Sequence, residues 1–318
     1  MYKQFYRLTR NPFELSPDPR FFYSTPRHNE ALASLCYGVQ KRKGFVVLTG
    51  EVGTGKTLLV RCLLDWLDRN RIAFSHVFNT RLSVNEFMQY FLSDLGLPVT
   101  GKSKGELISQ LNHYLIDRYR QGSTAVLIID EAQLLEWDLL EEVRLLTNLE
   151  TGRQKLLQIL LIGQPELDQK LDSVDLRQLK QRIALRYQLM PLSEEETRAY
   201  IVRRLQVAGA NSHTNGLFPE ATLTAIFNFS HGVPRLINTL CENALIAGYA
   251  RQVNTITPDI VDEIAGDFRL DVPPQPVADP SREERHALLK EIFRVIETLD
   301  AAKPETPGLV ASERGVKA

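Results

Sequence analysis

The sequence of 318 residues is poor in cysteine and shows no pattern of metal ligands. Its three cysteines are Cys36, Cys62 and Cys241, which are far apart, odd in number and outside any Cys-x-x-Cys pair. This argues against a disulfide framework and against a zinc site. The six histidines show no His-Glu-x-x-His or similar spacing. We therefore expect the thiols to be small buried side chains in a reducing compartment.

The sequence also has no excess of charge of one sign and no long apolar run. Lys and Arg number 38 against 39 Asp and Glu, so the formal net charge of −1 predicts no polyanion partner, although it leaves a local basic stripe open. No stretch approaches the ~20 apolar residues that a membrane-spanning helix needs, and the N-terminus has no apolar signal segment. We expect a cytoplasmic protein without direct membrane insertion, of about two domains.

Short apolar runs alternate with helical stretches through the first part of the chain. Runs at 45–49, 72–78, 126–129, 159–162 and 184–189 have the length and composition of strands. A helix is predicted from 56 to about 70, and two more begin at capping boxes, Ser83 with Glu86 and Ser103 with Glu106. Apolar strands that alternate with helices are buried on both faces. The pattern therefore predicts an α/β domain over residues 1–191, with a parallel five-stranded sheet and flanking helices.

After residue 191 the pattern is helical. Ser193 with Glu196 forms a third capping box that opens a helix to about residue 208, and further helices fit 219–230, 234–250 and 258–268. We expect a small all-helical lid domain over 192–270. A proline-rich linker is predicted at 271–280, an amphipathic helix at 281–300 and a disordered tail at 301–318. The apolar stripe of that helix suits either a partner protein or the chain's own helical domain.

A phosphate-binding pattern, G-x-x-x-x-G-K-[ST], follows the first predicted strand and opens the first helix. Its glycines let the backbone N–H groups converge on phosphate oxygens, and the helix N-terminus adds partial positive charge. Lys56 is expected to reach the β- and γ-phosphates of ATP, and the Thr57 hydroxyl to bind Mg²⁺. The predicted nucleotide-binding residues of this loop are Gly50, Glu51, Val52, Gly53, Thr54, Gly55, Lys56 and Thr57.

Two carboxylates end the third predicted strand, since Asp130 and Glu131 directly follow the apolar run 126–129. Asp130 is expected to hold Mg²⁺, through water or through Thr57. Glu131 is expected to polarise the water that attacks the γ-phosphate. The pair favours hydrolysis over phosphoryl transfer to a small molecule, because a kinase has to exclude water.

Further polar residues occur where they could act on the same nucleotide. Gln164 follows the fourth strand and could touch the γ-phosphate or the attacking water, with a proline-containing turn as the alternative. Arg182 precedes the fifth strand, and an arginine at a domain edge can enter a neighbour's site and stabilise the transition state. A surface ion pair is the alternative for Arg182, as it is for Arg177 and Arg186. Arg235, in the first turn of a predicted helix, can reach back to the phosphates.

Taken together, these residues make the sequence resemble the AAA+ ATPases, and within them the general secretion pathway A-type (ExeA-like) and MSHA-pilus-biogenesis ATPases. The resemblance covers about residues 1–270. It rests on the segments 44–45, 49–57, 144–151, 155–159, 163–167, 177–179, 181–183 and 232–238. It implies that Gln164 is sensor 1, Arg182 the arginine finger and Arg235 sensor 2, although sensor 1 is more often Asn or Thr. Adenine would be held before the first strand, with Phe13, Tyr23 and His28 as candidates, against ordinary packing as the alternative.

The resemblance also implies a function. Such a protein would form a homo-oligomer that hydrolyses ATP to ADP and phosphate at subunit interfaces, to drive assembly of a cell-envelope secretion, pilus or exopolysaccharide system. Related ATPases continue into a membrane span and a periplasmic peptidoglycan-binding domain, which this sequence lacks, so we expect contact with the inner membrane through a partner on helix 281–300. A DNA-acting ATPase of the transposition target-selection type is the alternative, and a nucleotide-binding scaffold without activity is a third reading.

Overall fold

The structure, a computed structural model, describes residues 1–14, 18–21, 23–78, 81–152, 154–210 and 216–270. The strands are β1 (Phe45–Gly50), β2 (Ala73–Val77), β3 (Ala125–Ile129), β4 (Leu157–Gly163) and β5 (Leu185–Leu189). The helices are α1 (Tyr2–Phe5), α2 (Pro26–Gln40), α3 (Lys56–Arg69), α4 (Val84–Asp94), α5 (Lys104–Arg120), α6 (Trp137–Leu146), α7 (Pro165–Leu171), α8 (Arg177–Lys180), α9 (Glu194–Val207), α10 (Glu220–Ser230), α11 (Pro234–Ala250) and α12 (Pro258–Asp267). The predicted linker 271–280, helix 281–300 and tail 301–318 lie outside the described residues.

The five strands form one parallel sheet in the order β2-β3-β4-β1-β5. This confirms the predicted sheet. β4 lies between β1 and β3. The phosphate-binding pattern follows β1, the carboxylate pair follows β3 and Gln164 follows β4, so the three features come from adjacent strands. Because all strands run the same way, the loops after them meet at one edge of the sheet. That edge is where nucleotides bind in open α/β sheets.

Both faces of the sheet are covered. Every residue of β1, β3 and β4 is buried, as expected for strands between two helical layers. Successive side chains alternate between two cores, because neighbouring residues of a strand point to opposite faces. Val47 and Leu127 pack with the layer that contains α4, α5 and α6, whereas Val46 and Val126 pack with α2 and α3.

The three predicted capping boxes form. In each, the serine side chain accepts a hydrogen bond from the glutamate N–H, and the glutamate side chain accepts one from the serine N–H. These reciprocal bonds satisfy backbone donors that a helix start would otherwise leave free. They fix the starts of α4, α5 and α9, which lie at the predicted positions.

Helices α9 to α12 share a third core, and the N-terminal segment belongs to it. Tyr6, Leu8, Phe13 and Phe21 are buried there, and the Tyr6 hydroxyl donates to Val253 O at 3.0 Å. The predicted domains 1–191 and 192–270 stay predictions, but the core of the helical region includes a segment that the prediction assigned to the first domain. Among the described residues, none of the helices combines the length and the apolar character that crossing a bilayer requires.

Candidate functional site

The loop between β1 and α3 curls tightly at its glycines. Gly53 and Gly55 have φ of +83° and +104°, in the left-handed region where glycine carries no steric penalty. At Gly50, a Cβ would lie 2.7 Å from Leu189 O on the neighbouring strand, so the loop has no room for a side chain there. The sequence pattern therefore corresponds to a backbone shape that only glycine can adopt at these points.

Lys56 begins α3 and turns back over this loop. Its Nζ donates to Gly50 O at 2.6 Å and to Glu51 O at 2.9 Å, and the residue is buried. Burial lowers the pKa of Lys56, while the nearby carboxylates, chiefly Glu131 and Asp130, oppose that shift. The ammonium group is thus held in place by carbonyl oxygens, at the point where the pattern predicts phosphate oxygens.

The two carboxylates after β3 differ in their surroundings. Asp130 is buried, and burial raises its pKa, while its Oδ1 accepts a hydrogen bond from Glu131 N at 2.9 Å. Glu131 has φ of 51° and ψ of 38°, a left-handed conformation that is uncommon for a residue with a side chain. Strain of this kind concentrates at functional sites. The turn aims Glu131 into the same cavity that Lys56 lines.

Two amide side chains hold the Glu131 carboxylate. Gln133 Nε2 donates to Glu131 Oε2 at 2.6 Å, and Gln164 Nε2 donates to the same oxygen at 3.1 Å. Gln164 reaches Glu131 because β4 and β3 are paired neighbours. Gln133 was not predicted. Its contact arises from the short 3-10 turn Ala132–Leu134, and the only signal in the sequence is a polar residue two positions after the carboxylate pair.

A cavity of about 360 Å³ lies between the loop and the helical region. It is lined by residues 52–58 on one side and by Tyr200, Arg204, Arg235 and Asn238 on the other. Of the adenine candidates, Tyr23 and His28 line the cavity. Phe13 does not, because it is fully buried in the helical core, with its ring 6.0 Å from that of Phe218.

His28 connects α2 to the phosphate-binding loop. Its Nδ1 lies 2.7 Å from Thr25 Oγ1, and its Nε2 lies 3.3 Å from Thr54 O. Burial lowers the pKa of His28, with the Thr54 carbonyl as the strongest opposing influence. The neutral imidazole therefore bridges the start of α2 and the phosphate-binding loop.

Arg235 connects the helical region to the phosphate-binding loop. It lies in the first turn of α11, and its backbone N–H donates to Gly53 O at 3.3 Å. The approach is close, because a Cβ on Gly53 would lie 2.6 Å from Arg235 Cβ. The Arg235 side chain is exposed and lines the cavity, as its predicted contact with the nucleotide requires.

The three arginine candidates near β5 lie away from this cavity. Arg182 Nη1 donates to Thr147 Oγ1 and to Asn148 Oδ1, both just after α6. Arg186 is paired with two aspartates of the α7 region, and Arg177 is exposed without a side-chain partner in the described part of the chain. Arg182 precedes β5, whereas the phosphate-binding loop follows the far end of the paired strand β1. The length of β5 thus separates Arg182 from the site of its own chain.

A buried polar network that the sequence did not reveal closes the cavity on the helical side. Arg204 Nη1 donates to Tyr200 OH at 2.5 Å, and Tyr200 OH donates to Asn238 Oδ1 at 2.9 Å. The guanidinium lies 4.8 Å above the Phe21 ring and also donates to Pro12 O. The network ties the N-terminal segment to α9 and α11. Of these residues only Asn238 lies in a segment that carries the family resemblance, and no pattern connects it to Tyr200, Arg204 or the N-terminal segment.

Known proteins match both this sequence and this fold. Residues 39–171 match the family described as AAA domain. General secretion pathway protein A of Aeromonas hydrophila is 45% identical over 252 residues, which make up 79% of this chain and 45% of that protein. The chain contains an AAA domain and is similar to general secretion pathway protein A. This confirms the predicted resemblance. The chain spans less than half the length of the curated relative it matches.

Solved structures show the same AAA+ fold. Cdc6p from Pyrobaculum aerophilum has a TM-score of 0.58 at 18% identity, over 79% of this chain and 70% of that one. The ORC1 protein of Aeropyrum pernix, in complex with DNA, has a TM-score of 0.58 at 17% identity, over 92% of this chain and 87% of that one. At such low identity the likeness shows the fold alone. It confirms the predicted α/β sheet domain with a following helical region.

Proposed function

We propose that this AAA+ protein hydrolyses ATP to ADP and phosphate in the cavity between the loop and the helical region. The observation that carries the proposal is the position of Glu131. Its carboxylate lines the same cavity as the phosphate-binding loop and Lys56, and two amides fix one of its oxygens. A carboxylate held beside a phosphate site is the group that activation of water requires.

The roles of the site residues follow from their chemistry. The loop N–H groups and Lys56 bind the phosphates, and Glu131 accepts the proton of the attacking water. The Thr57 hydroxyl and the Asp130 carboxylate are oxygen donors that fit Mg²⁺, which usually takes few protein ligands and keeps water and phosphate oxygens. In the described residues there is no cluster of three or more acidic, histidine or cysteine ligands, so a metal cage made by the protein alone is not part of this site. Mg²⁺ would neutralise the charge that develops on the phosphates.

A second copy of the chain would complete the site. Arg182 is held after α6 at the opposite edge of the sheet from its own loop, which supports its acting on a neighbour's nucleotide. Arg235, from the helical region, would contact the phosphates within the same chain. ATP binding would then close the helical region on the loop, and hydrolysis would release it. A homo-oligomer is therefore part of the proposal.

The relative supports a proposal for the biological role. Because the 45% identical protein is named for the general secretion pathway, we place the ATPase cycle in the assembly of a cell-envelope secretion, pilus or exopolysaccharide system. The partners would be proteins of that system. If duplex DNA at low salt raised the ATPase rate several-fold, the DNA-acting alternative would be favoured instead, because binding to phosphate backbones weakens steeply as salt rises.

The hydrolytic role is tested with Lys56→Ala and Glu131→Gln. Lys56→Ala should abolish nucleotide binding, because it removes the buried cation of the loop. Glu131→Gln should keep ATP affinity and lose turnover, since the amide fills the same space but cannot take a proton from water. Equilibrium binding of a fluorescent ATP analogue and phosphate release measure the two effects. Native turnover by Glu131→Gln would show that another group activates the water.

The shared site is tested by mixing variants. Arg182→Ala should bind ATP and hydrolyse it poorly, as should Glu131→Gln, but a mixture should regain activity where an intact carboxylate meets an intact arginine. Specific activity of the native protein should rise with concentration. Arg177→Ala and Arg186→Ala are matched controls that show which arginine acts. A monomer with full activity independent of concentration would exclude the shared site.

A further inference from the structure

We infer that Gln133 is a positioning residue for hydrolysis, which orients the Glu131 carboxylate toward the attacking water. The inference rests on the proposed ATPase function and assigns a residue that the sequence motifs do not include. Gln133 lies in the turn Ala132–Leu134, directly after the carboxylate pair. Its side chain folds back and donates from Nε2 to Glu131 Oε2 at 2.6 Å.

Gln133 is itself held at both ends. Its Oε1 accepts a hydrogen bond from Gln164 N at 3.1 Å, at the start of α7. Its backbone carbonyl accepts one from Lys170 Nζ at 3.4 Å. Its amide also fits against β4 closely, since a Cβ on Gly163 would lie 2.8 Å from Gln133 Oε1. An amide with both ends bonded has one orientation, so the N–H that meets Glu131 is fixed by the fold.

The two carboxylate oxygens of Glu131 differ in their hydrogen bonds. Gln133 and Gln164 both donate to Oε2, while Oε1 accepts no hydrogen bond within the described part of the chain. Glu131 lines the cavity, so Oε1 remains for water. An anionic acceptor with two donors on one oxygen cannot rotate without losing both bonds. Gln133 thus holds the carboxylate in one orientation although it does not itself line the cavity.

The test compares Gln133→Met with Gln133→Ala. Methionine keeps the length and bulk of glutamine but has no N–H to donate. If Gln133 positions Glu131, both variants should lower kcat by about 10- to 100-fold, the usual effect of a small misplacement at a reacting centre, while KM and ATP affinity stay within about twofold. Gln121→Ala, at an exposed glutamine after α5, is the matched control and should keep native kcat. If Gln133→Met kept native kcat and only Gln133→Ala lost activity, the residue would serve packing and the inference would fail.

A second arm tests whether Gln133 acts through Glu131. Adding Gln133→Met to Glu131→Gln should bring no further loss of turnover, because the group that Gln133 orients is already gone. A further drop of tenfold or more would overturn the inference.

A third arm does not depend on activity. In nucleotide-free protein, the side-chain amide proton resonance of Gln133, assigned by its loss in Gln133→Met, should shift when Glu131 becomes Gln. No shift would show that the contact does not form in solution and would overturn the inference even in an active enzyme. A shift in a protein without any ATPase activity would instead leave the contact standing and refute the proposed function.

Discussion

A methyl group on Gly53 should separate the helical region from the phosphate-binding loop. Gly53 has φ of +83°, and its added Cβ would lie 2.6 Å from Arg235 Cβ and 3.1 Å from Val233 Cγ1. The first of these atoms belongs to the start of α11, which cannot yield as the end of a flexible side chain can. Gly53→Ala therefore forces α11 away from the loop or strains both.

The cost has two parts that can be separated. Alanine in a left-handed conformation is destabilised by about 1–2 kcal/mol. Forcing extra volume into a packed contact costs a further ~1–3 kcal/mol. Gly96 supplies the control, because it has φ of +78° and a Cβ there would meet no described atom within 4 Å. Gly96→Ala should show the first part only, and Gly53→Ala should show both, about 2–5 kcal/mol in all.

Urea denaturation of the nucleotide-free protein gives the free energy of unfolding for both variants, and equilibrium ATP binding follows in parallel. We expect Gly53→Ala to be the less stable of the two and to bind ATP more weakly, because Arg235 then lies farther from the phosphates. Gly96→Ala should bind ATP as the native protein does. Equal losses of stability in the two variants would refute the contact between α11 and the loop.

Two further predictions follow from buried ionisable groups. Burial raises the pKa of Asp130, so its ionised form destabilises the fold at neutral pH. Asp130→Asn should therefore raise the thermal midpoint of the nucleotide-free protein in calorimetry and weaken Mg²⁺-dependent ATP binding. A lowered midpoint would contradict the burial argument. Burial lowers the pKa of His28 in the folded protein. As pH drops, the imidazole is therefore protonated in the unfolded chain before it is protonated in the folded one. The free energy of unfolding should then fall as pH drops through about 6.5 toward the lowered folded-state pKa. His28→Gln should show a shallower fall in urea titrations at several pH values, and an unchanged slope would exclude His28 as the source.

The phosphate-binding loop and the carboxylate pair could be predicted from sequence because their geometry is local. Glycines at the required spacing, a lysine at a helix start and two acids after an apolar strand already determine which groups meet. The five strands were predictable for a similar reason, since each is a short apolar run and helical stretches separate it from the next. The pairing of β3 with β4 brings Gln164 to Glu131, whereas the predicted contact of Gln164 was with the γ-phosphate or the attacking water.

Other contacts depend on parts of the chain that no local pattern connects. Gln133 becomes important only because a turn folds its amide back onto Glu131. Arg204 lines the cavity because α9 packs against the N-terminal segment, and no sequence pattern connects these two stretches. Phe13 was a reasonable adenine candidate by position, but the helical core buries it completely. The roles proposed for Arg182 and Arg235 remain predictions.

The helical core also has a consequence for how the protein is made. Tyr6 and Val253, which share a hydrogen bond in that core, are 247 residues apart. At roughly 5–20 residues per second, the ribosome needs on the order of 12–50 s to supply the second partner after the first has emerged. During that interval the apolar side chains of the N-terminal segment have no core to enter, while the sheet behind them can already assemble. Synthesis thus leaves the nucleotide cavity open until the helical region has emerged, and the apolar side chains of the N-terminal segment stay exposed during that interval.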